Sequence, residues 1–345
     1  MLENVKFHNT AELESRTNLP GVRLQRFPKQ VRESLTEKGR TKAAESSGCE
    51  IRFVTEAANI RVTMAAQEKD GRVLVFKGDF FHAAYELKAG VVTTLQLEAP
   101  ERFLEVPAAL LDNVAFSSKV WRIYCDRFTA IFYDIDAYGY AIRPPERREV
   151  PQLTILAYGS SITQGAGALS HYNGYVQQTA RRLGMDMLNL GLSGSCCCEP
   201  ELADHLVERE DWDLAYLELG VNMRGTVSTE EFQHRVTYLL DGIIRNHPTK
   251  PILATTIYPN RATYFNDKAH SFSQAEKQFN EVLQRYVESR QHANLTLLDG
   301  ERIMIDFTSL TSDLIHPSDY GHSRMGEQLA GFLRPFVDKL RAAQG

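Results

Sequence analysis

The sequence has no long apolar run and no large excess of charge of one sign. Its 345 residues are 43% hydrophobic and 24% charged, the balance of an ordinary globular protein rather than of a disordered or fibrous one. The formal net charge of −5 gives no basic footprint for nucleic acid. No stretch is long and apolar enough to cross a bilayer. We therefore expect neither a nucleic-acid partner nor a membrane partner.

The start of the sequence also lacks the features of a secretory signal peptide. Residues 1–8, Met-Leu-Glu-Asn-Val-Lys-Phe-His, show no basic beginning followed by an apolar stretch. There are five cysteines, of which Cys196, Cys197 and Cys198 are consecutive. An odd number with adjacent thiols is not typical of a disulfide framework. These absences predict a cytoplasmic protein with reduced thiols.

Motifs for metals and nucleotides are missing as well. The adjacent cysteines have no Cys-x-x-Cys or His-x-x-His companion, and neighbouring side chains point in diverging directions. Gly165-Ala-Gly167 lacks the third glycine of a dinucleotide fingerprint and the lysine of a phosphate loop. The sequence therefore predicts no metal and no cofactor. The thiol of Cys196 could still line a pocket, although a buried hydrophobic role is commoner for cysteine.

The first part of the chain alternates apolar and polar residues with a period of two. Length alone suggests two domains and leaves one large domain open. Turn-forming stretches separate the alternating segments and no comparable helical pattern intervenes, which favours a β-sandwich. Residues 1–48 are harder to assign, and the polar, proline-bearing segment 142–151 is the best candidate for a linker. We therefore predict domains over 1–148 and 149–345. The predicted antiparallel strands cover residues 51–55, 60–64, 72–76, 91–97 and 127–133.

The second part alternates strands and helices. This alternation indicates a parallel sheet between layers of helices. Ligands of such sheets bind beyond the carboxyl ends of the strands, so reactive residues are expected there. The strands are predicted at 153–158, 187–190, 214–219, 252–257 and 295–298, and the helices at 172–183, 229–245, 273–289 and 320–341.

Two serines follow the first of these strands, in Gly159-Ser160-Ser161. Serine is a weak nucleophile unless a base removes its proton, and paired serines after a strand are often a turn or a helix cap. Thr163 stands where the Gly-x-Ser-x-Gly elbow of the α/β-hydrolases has its second glycine, which disfavours that superfamily. Catalysis by a serine here requires a base and a carboxylate elsewhere in the chain.

A base and a carboxylate stand near the C-terminus in Asp313-x-x-His316-Pro317. The spacing lets both side chains face the same way, and the proline biases His316 toward an extended backbone. Asp313 would hold the Nδ1–H while Nε2 takes the serine proton. The alternative is a solvated polar loop. A second pair, Asp319 and His322, follows, but Asp319 is better explained as the N-cap of the last helix.

Two further strand ends offer hydrogen-bond donors for an oxyanion. Gly194 follows the second predicted strand and permits close approach of a backbone N–H, and Asn222 follows the third and carries a side-chain amide. Glycines after strands usually make turns, and asparagine favours loops for its own local hydrogen bonds. The order of all these features along the chain is more informative than any one of them.

In that order the blocks resemble those of the SGNH/GDSL hydrolase family. Over about residues 153–340, the similarity rests on Gly159-Ser160-Ser161-Ile162, Ser193-Gly194, Gly220-Val221-Asn222 and Asp313-Leu314-Ile315-His316-Pro317. The resemblance implies Ser161 as nucleophile, His316 as base and Asp313 as its partner. It also implies oxyanion donors from the Ser161 and Gly194 N–H groups and the Asn222 side chain, without a metal.

The resemblance extends to a two-domain subset of this family. Leu24-Gln-Arg-Phe-Pro28 and the stretch 189–203 are similar to it, and its members also carry Gly-Ser-Ser-Ile-Thr-Gln-Gly, with serine where the family name has aspartate at Ser160. This implies an α/β fold: a three-layer α/β/α, flavodoxin-like hydrolase domain with a parallel sheet, preceded by a jelly-roll-like β-sandwich. The subset includes carbohydrate deacetylases and acyltransferases of small natural products.

The resemblance therefore implies a serine esterase acting on short acyl esters, above all acetyl esters, of a small molecule or carbohydrate. An acyltransferase with the same residues is the alternative, and a non-catalytic carbohydrate-binding protein is a third possibility. The sequence does not indicate an oligomeric state. Four side chains after strand ends are candidate substrate contacts, although each is equally an ordinary surface residue: Glu199, Arg224, Arg261 and Tyr264.

Overall fold

The protein, described here by a computed structural model over residues 2–17, 19–112 and 115–343, divides into two compact units. Residues 30–42, which the sequence pattern left unassigned, group with the second unit. The predicted linker, 142–151, groups with the first. The predicted domain ends Met1 and Gly345 lie outside the described residues. The first unit comprises Met1–Lys29, Ala43–Gln152 and Gly184–Asp186, and the second comprises Gln30–Lys42, Leu153–Leu183 and Met187–Gly345.

The first unit contains two five-stranded antiparallel sheets that share one hydrophobic core. The ten strands are β1 Lys6–His8, β2 Glu12–Arg16, β3 Leu19–Gln25, β4 Glu50–Val54, β5 Asn59–Ala66, β6 Gly71–Lys77, β7 Phe80–Leu87, β8 Val92–Glu98, β9 Val120–Cys125 and β10 Ala130–Asp136. One sheet has the order β1-β4-β9-β6-β7 and the other β2-β3-β10-β5-β8. Alternate residues such as Phe53 on β4 and Val62 on β5 point into the common core. The predicted β-sandwich is confirmed.

The strands that the sequence pattern missed show why it missed them. All six residues of β9 are buried, so no exposed polar residue marks an alternation. Trp121, Ile123 and Cys125 face the core, and Arg122 between them is buried in an ion pair. Strand β7 was missed for a different reason. Most of its residues are at least partly exposed, and its aromatic residues do not alternate with polar ones.

The second unit is built on a five-stranded parallel sheet of order β12-β11-β13-β14-β15. Its strands are β11 Thr154–Tyr158, β12 Asp186–Asn189, β13 Leu214–Glu218, β14 Ile252–Thr255 and β15 Leu295–Leu298. The helices of the chain are α1 Lys29–Ser34, α2 Glu37–Ala43, α3 Ala108–Asp112, α4 Tyr175–Leu183, α5 Pro200–Glu208, α6 Thr229–Asn246, α7 Ser271–Arg290, α8 Gly300–Ile303 and α9 Asp319–Ala342. The predicted parallel sheet with helices is confirmed.

The N-terminus of helix α9 differs by one residue from the prediction. Ser318, and not Asp319, is the N-cap of α9, because the Ser318 hydroxyl accepts a hydrogen bond from the N–H of Gly321. Asp319 is the first helical residue. Helix α5, which the pattern did not predict, begins with Pro200 at its first position, where the missing N–H has no helical partner to lose.

None of the helices in the described part of the chain combines the length and the apolar character needed to span a bilayer.

The neighbouring strands β11, β13 and β14 pair in parallel, with Ile155 opposite Leu214 and Ala215 opposite Ile252. Their carboxyl ends therefore lie at one edge of the sheet, and the loops that follow them meet there.

A buried charge cluster joins two central strands of the first unit. The Glu50 carboxylate on β4 accepts hydrogen bonds from Arg52 Nε at 2.7 Å and from Arg122 Nε and Nη2 on β9 at 2.9 and 2.7 Å. These side chains are only 3–5% exposed. Burial opposes ionisation of Glu50, but the Arg122 and Arg52 guanidiniums hold its pKa well below the usual range.

We expect Glu50→Ala to lower the free energy of unfolding by about 3–5 kcal/mol, because two buried guanidiniums lose their shared carboxylate. Urea denaturation measures this, with Glu86→Ala as the control, since Glu86 pairs with Arg72 at the surface. The folded-state pKa of Glu50 lies below its ordinary value of 4.5. Glu50 therefore contributes to the free energy of unfolding above about pH 4.5, and this contribution is lost as the pH falls from there toward the folded-state pKa. Equal effects of the two substitutions would contradict this account.

Candidate active site

Ser161 lies on a tight turn directly after β11. The Ser161 carbonyl accepts a hydrogen bond from the N–H of Ala166 at 2.8 Å, and the Ser160 carbonyl accepts one from Gln164 at 3.0 Å. A β-carbon at Gly159 would lie 2.9 Å from the β-carbon of Glu218, so the turn passes close to β13. The Ser161 side chain stands at the carboxyl edge of the sheet and keeps 8% of its surface exposed.

The structure brings Ser161, His316 and Asp313 into one chain of hydrogen bonds. Ser161 Oγ is 2.8 Å from His316 Nε2, and His316 Nδ1 is 2.6 Å from Asp313 Oδ2. With the ring proton on Nδ1, the imidazole donates to the carboxylate and Nε2 is left to accept the hydroxyl proton. An arrangement of this kind can deprotonate a serine as it attacks an electrophile.

The loop that carries Asp313 and His316 organises the carboxylate before any ligand arrives. Asp313 Oδ1 accepts hydrogen bonds from the backbone N–H groups of Ile315 at 2.8 Å and His316 at 3.0 Å, and from Thr311 Oγ1 at 2.8 Å. Partial burial opposes ionisation, but the hydrogen bonds from His316 and its neighbours hold the pKa of Asp313 well below the usual range. The carboxylate is therefore ionised at neutral pH and can stabilise a protonated imidazole.

A second carboxyl group, which the sequence analysis missed, lies beneath the serine turn. Glu218 is the last residue of β13 and is only 1% exposed. Its Oε2 accepts hydrogen bonds from the N–H and the hydroxyl of Ser160, both at 2.7 Å, and from Thr163 Oγ1 at 3.0 Å. Burial raises the pKa of Glu218, although the bonds from Ser160 oppose the rise. An acidic residue inside an apolar central strand is the signal that could have identified it.

The predicted oxyanion donors lie on loops that are tied to each other. The side-chain oxygen Oδ1 of Asn222 accepts a hydrogen bond from the N–H of Cys196 at 3.1 Å. The side-chain nitrogen Nδ2 of Asn222 is left to donate elsewhere. Gly194 has φ +68°, a conformation that favours glycine. Gln164, also missed from sequence, accepts from the N–H and the hydroxyl of Ser193 at 2.8 and 2.6 Å. The loops after β11, β12 and β13 are thus fixed relative to one another.

Two of the four predicted substrate contacts are largely buried. Glu199 is the residue before α5, and in the described part of the chain neither of its carboxyl oxygens has a hydrogen-bond partner. Burial raises its pKa. Arg224 is an ion-pair partner of Glu276 and donates to Asn260 Oδ1 at 3.1 Å. Its guanidinium therefore links the loop after β13 to α7.

The other two lie on the exposed loop after β14. The N–H of Arg261 donates to the carbonyl of Leu314 at 2.7 Å, so this loop abuts the one that carries Asp313 and His316. The Tyr264 side chain is 54% exposed, and its ring contacts that of Phe307 edge to face. Both residues therefore lie on a loop that contacts the loop of Asp313 and His316.

The rival pair, Asp319 and His322, has other partners. His322 is fully buried, with Nε2 2.9 Å from the Ala166 carbonyl and Nδ1 accepting from the N–H of Tyr175 at 3.2 Å. Asp319 Oδ1 accepts from the N–H of Leu169 at 3.0 Å. These contacts hold the segment after Ser161 against α9.

The three adjacent cysteines are structural neighbours of the site. Cys196 and Cys198 are buried, Cys197 is half-buried, and none of the three forms a disulfide. Burial raises the pKa of Cys197 to about 11, so its thiol is neutral at physiological pH. Within residues 2–17, 19–112 and 115–343, no group of three or more His, Cys, Asp or Glu side chains is placed to hold a metal ion.

Solved structures similar to this chain share its fold over nearly its whole length. A salicylyl-acyltransferase from a tetracycline biosynthetic pathway has a TM-score of 0.76 at 17% identity, covering 94% of this chain and 93% of that chain. A GDSL-like lipase from Bacteroides ovatus has a TM-score of 0.68 at 18% identity, covering 97% and 98%. A family two carbohydrate esterase from Clostridium thermocellum, solved with cellohexaose, has a TM-score of 0.61 at 15% identity, covering 85% and 93%.

No curated protein sequence matches the chain significantly. The profile of the GDSL-like lipase/acylhydrolase family matches residues 152–334, which is more than half of the chain and includes every strand of the parallel sheet and the Ser161–His316–Asp313 hydrogen bonds. The resemblance that the sequence blocks indicated is thereby confirmed, and the chain belongs to the GDSL-like lipase/acylhydrolase family.

Proposed function

We propose that the protein is a serine esterase that hydrolyses short acyl esters, above all acetyl esters, of small molecules or carbohydrates. The observation that carries the proposal is the unbroken chain of hydrogen bonds from the Ser161 hydroxyl through His316 to Asp313. The ionised Asp313 fixes the imidazole in the tautomer that accepts the serine proton. This is the requirement for nucleophilic catalysis by a hydroxyl group.

The proposed reaction has two halves. Ser161 Oγ attacks the ester carbonyl while His316 Nε2 takes its proton, and the resulting oxyanion is held by the N–H groups of Ser161 and Gly194 and the Asn222 amide. Collapse of this intermediate breaks the bond to the alcohol, which takes the proton from His316, and leaves acyl-Ser161. Water, deprotonated by His316, then attacks the acyl group, and the carboxylic acid departs as Ser161 regains its proton.

The proposed substrate class draws on the surroundings of Ser161 and on the similar structures. The exposed Arg261 and Tyr264 are candidates to contact the alcohol part of a polar ester, and Glu199 is a candidate for a hydroxyl group that reaches its buried carboxyl. Arg224 has the indirect role of shaping the loop that follows β13. The similar fold of a carbohydrate esterase supports a sugar as the alcohol.

An acyltransferase with the same residues is the second candidate, supported by the similarity in fold to the salicylyl-acyltransferase. The first half of the reaction is then the same, and an alcohol or amine replaces water in the second half. Adding such an acceptor to an esterase assay separates the two, because a transferase forms the transfer product faster than the free acid. A non-catalytic carbohydrate-binding protein would turn over no ester.

We expect Ser161→Ala to abolish both the burst and the acetyl adduct with 4-nitrophenyl acetate. Among the residues that the structure describes, Ser161 carries the only hydroxyl that is hydrogen-bonded to His316. Rapid kinetics and intact mass measure the two effects. Ser160→Ala is the matched control and should keep the adduct, since Ser160 bonds to Glu218 instead. Turnover that survives in Ser161→Ala would refute the proposal.

We expect Asn222→Ala to lower kcat by about a hundredfold to a thousandfold with little change in KM, because its amide would donate mainly to the oxyanion of the transition state. Steady-state kinetics on the same ester measure this. Asn246→Ala, at the exposed end of α6, should behave as wild type. An effect of Asn222→Ala confined to KM would assign Asn222 to substrate binding instead.

We expect Glu218→Ala to lower kcat at least tenfold, because the Ser160 N–H loses its acceptor and Ser161 shifts relative to His316. Glu218→Gln keeps an acceptor oxygen at that point and should restore most of the activity. KM should change about twofold or less in both variants, since Glu218 does not reach the substrate. Activity that falls equally in both variants would show that the charge of Glu218, rather than its hydrogen bonds, is required.

A further inference from the structure

A lysine from the segment 30–42 lies against the glycine that is proposed to bind the oxyanion. This segment belongs to the second unit and contains most of α2. A β-carbon added at Gly194 would collide with Nζ and Cε of Lys38 and would lie 3.6 Å from its Cδ. The ammonium group therefore occupies the side of Gly194 where a side chain would otherwise project.

Lys38 has no ion-pair partner among the described residues. The residue is exposed, and it makes no hydrogen bond or ion pair with the part of the chain that the structure describes. The neighbouring cation differs, because Arg235 pairs with Glu231 at 2.6 Å and donates to the Cys197 carbonyl at 3.0 Å. Burial, followed by Glu199 and Cys198, raises the pKa of Cys197. Arg235 and Lys38 lower it, so both cations act on the loop after β12.

Two titratable side chains lie on the same loop, and the Glu199 carboxyl opposes the effect of the two cations there. Glu199 lies two residues beyond Cys197, and burial raises its pKa, which disfavours its charged form. The thiol of Cys197 is neutral because burial raises its pKa to about 11. The ammonium group of Lys38 is thus an exposed, flexible cation beside Gly194, in contact with solvent. A negatively charged group arriving from solvent would pair with it.

We propose that Lys38 recognises an anionic group of the substrate, so that the preferred esters carry a carboxylate or similar anion close to the scissile ester. The proposal rests on the proposed esterase function and deepens it. Lys38 could instead act on the oxyanion of every ester, but its place on the side where a Gly194 side chain would project and its exposure to solvent favour a separate anion. In either role, Lys38 leaves the steps of the proposed ester hydrolysis unchanged.

Matched pairs of charged and neutral esters test the proposal. For an anion in the acyl part, 4-nitrophenyl hydrogen succinate is compared with 4-nitrophenyl methyl succinate. For an anion in the alcohol part, 3-acetoxybenzoate is compared with methyl 3-acetoxybenzoate. Lys38→Met removes the charge and keeps much of the apolar stem, Lys38→Arg keeps the charge, and Lys277→Met on α7 is the control for loss of an exposed lysine.

In one of the two pairs, we expect Lys38→Met to lower kcat/KM for the anionic ester about tenfold and for the neutral ester less than twofold. Lys38→Arg should keep the wild-type preference, Lys277→Met should have no effect, and added salt should weaken the preference in the wild type. The pair that responds identifies the part of the ester that carries the anion.

Equal losses on both members of each pair would overturn the proposal and assign Lys38 to the oxyanion. Unchanged kcat/KM on all four esters would overturn it as well. Failure of the esterase function itself looks different, because the wild type would then hydrolyse neither the charged nor the neutral esters, and the inference about Lys38 would fall with it.

Discussion

The hydrogen bond between Ser161 Oγ and His316 Nε2 joins residues 155 positions apart in the chain, and the chemistry proposed for the protein depends on it. The parallel sheet makes the meeting possible. Because β11 and its neighbours run in the same direction, the turn after β11 and the loop before α9 reach the same edge. The hydrogen bonds of Glu218 below the turn, and those within the Asp313 loop, then limit how far either side chain can drift.

Two carboxyl groups support the proposed nucleophile and base. Glu218 lies beneath the serine turn and Asp313 beside His316, and their pKa values are shifted in opposite directions. Asp313 is partly exposed and accepts several hydrogen bonds, so its pKa is well below the usual range and it can stabilise a charged imidazole. Glu218 is buried, and its pKa is raised because burial outweighs the hydrogen bonds that it accepts. The exposed carboxylate suits an electrostatic role and the buried one a positioning role. Lys38 adds a positive charge beside Gly194.

The sequence predicts those parts of the fold and of the site whose residues are close together in the chain. The strands of the second unit and its helices α4, α6, α7 and α9 were predictable because their apolar runs are bounded by turn residues, and the blocks around Ser161 and His316 lie at their ends. Strand β9 was missed because it is buried throughout. Glu218 and Lys38 were missed because their partners are distant in sequence: Ser160 lies 58 residues from Glu218, and Gly194 meets Lys38 only through folding.

The most direct test of the central claim is to label the protein with a fluorophosphonate and map the modified peptide by mass spectrometry. Such a reagent modifies a serine only when a neighbouring base activates its hydroxyl. The account predicts one modified residue, Ser161, and loss of the label in His316→Ala. A label on Ser160 or elsewhere, or labelling of Ser161 that persists at full rate in His316→Ala, would contradict it.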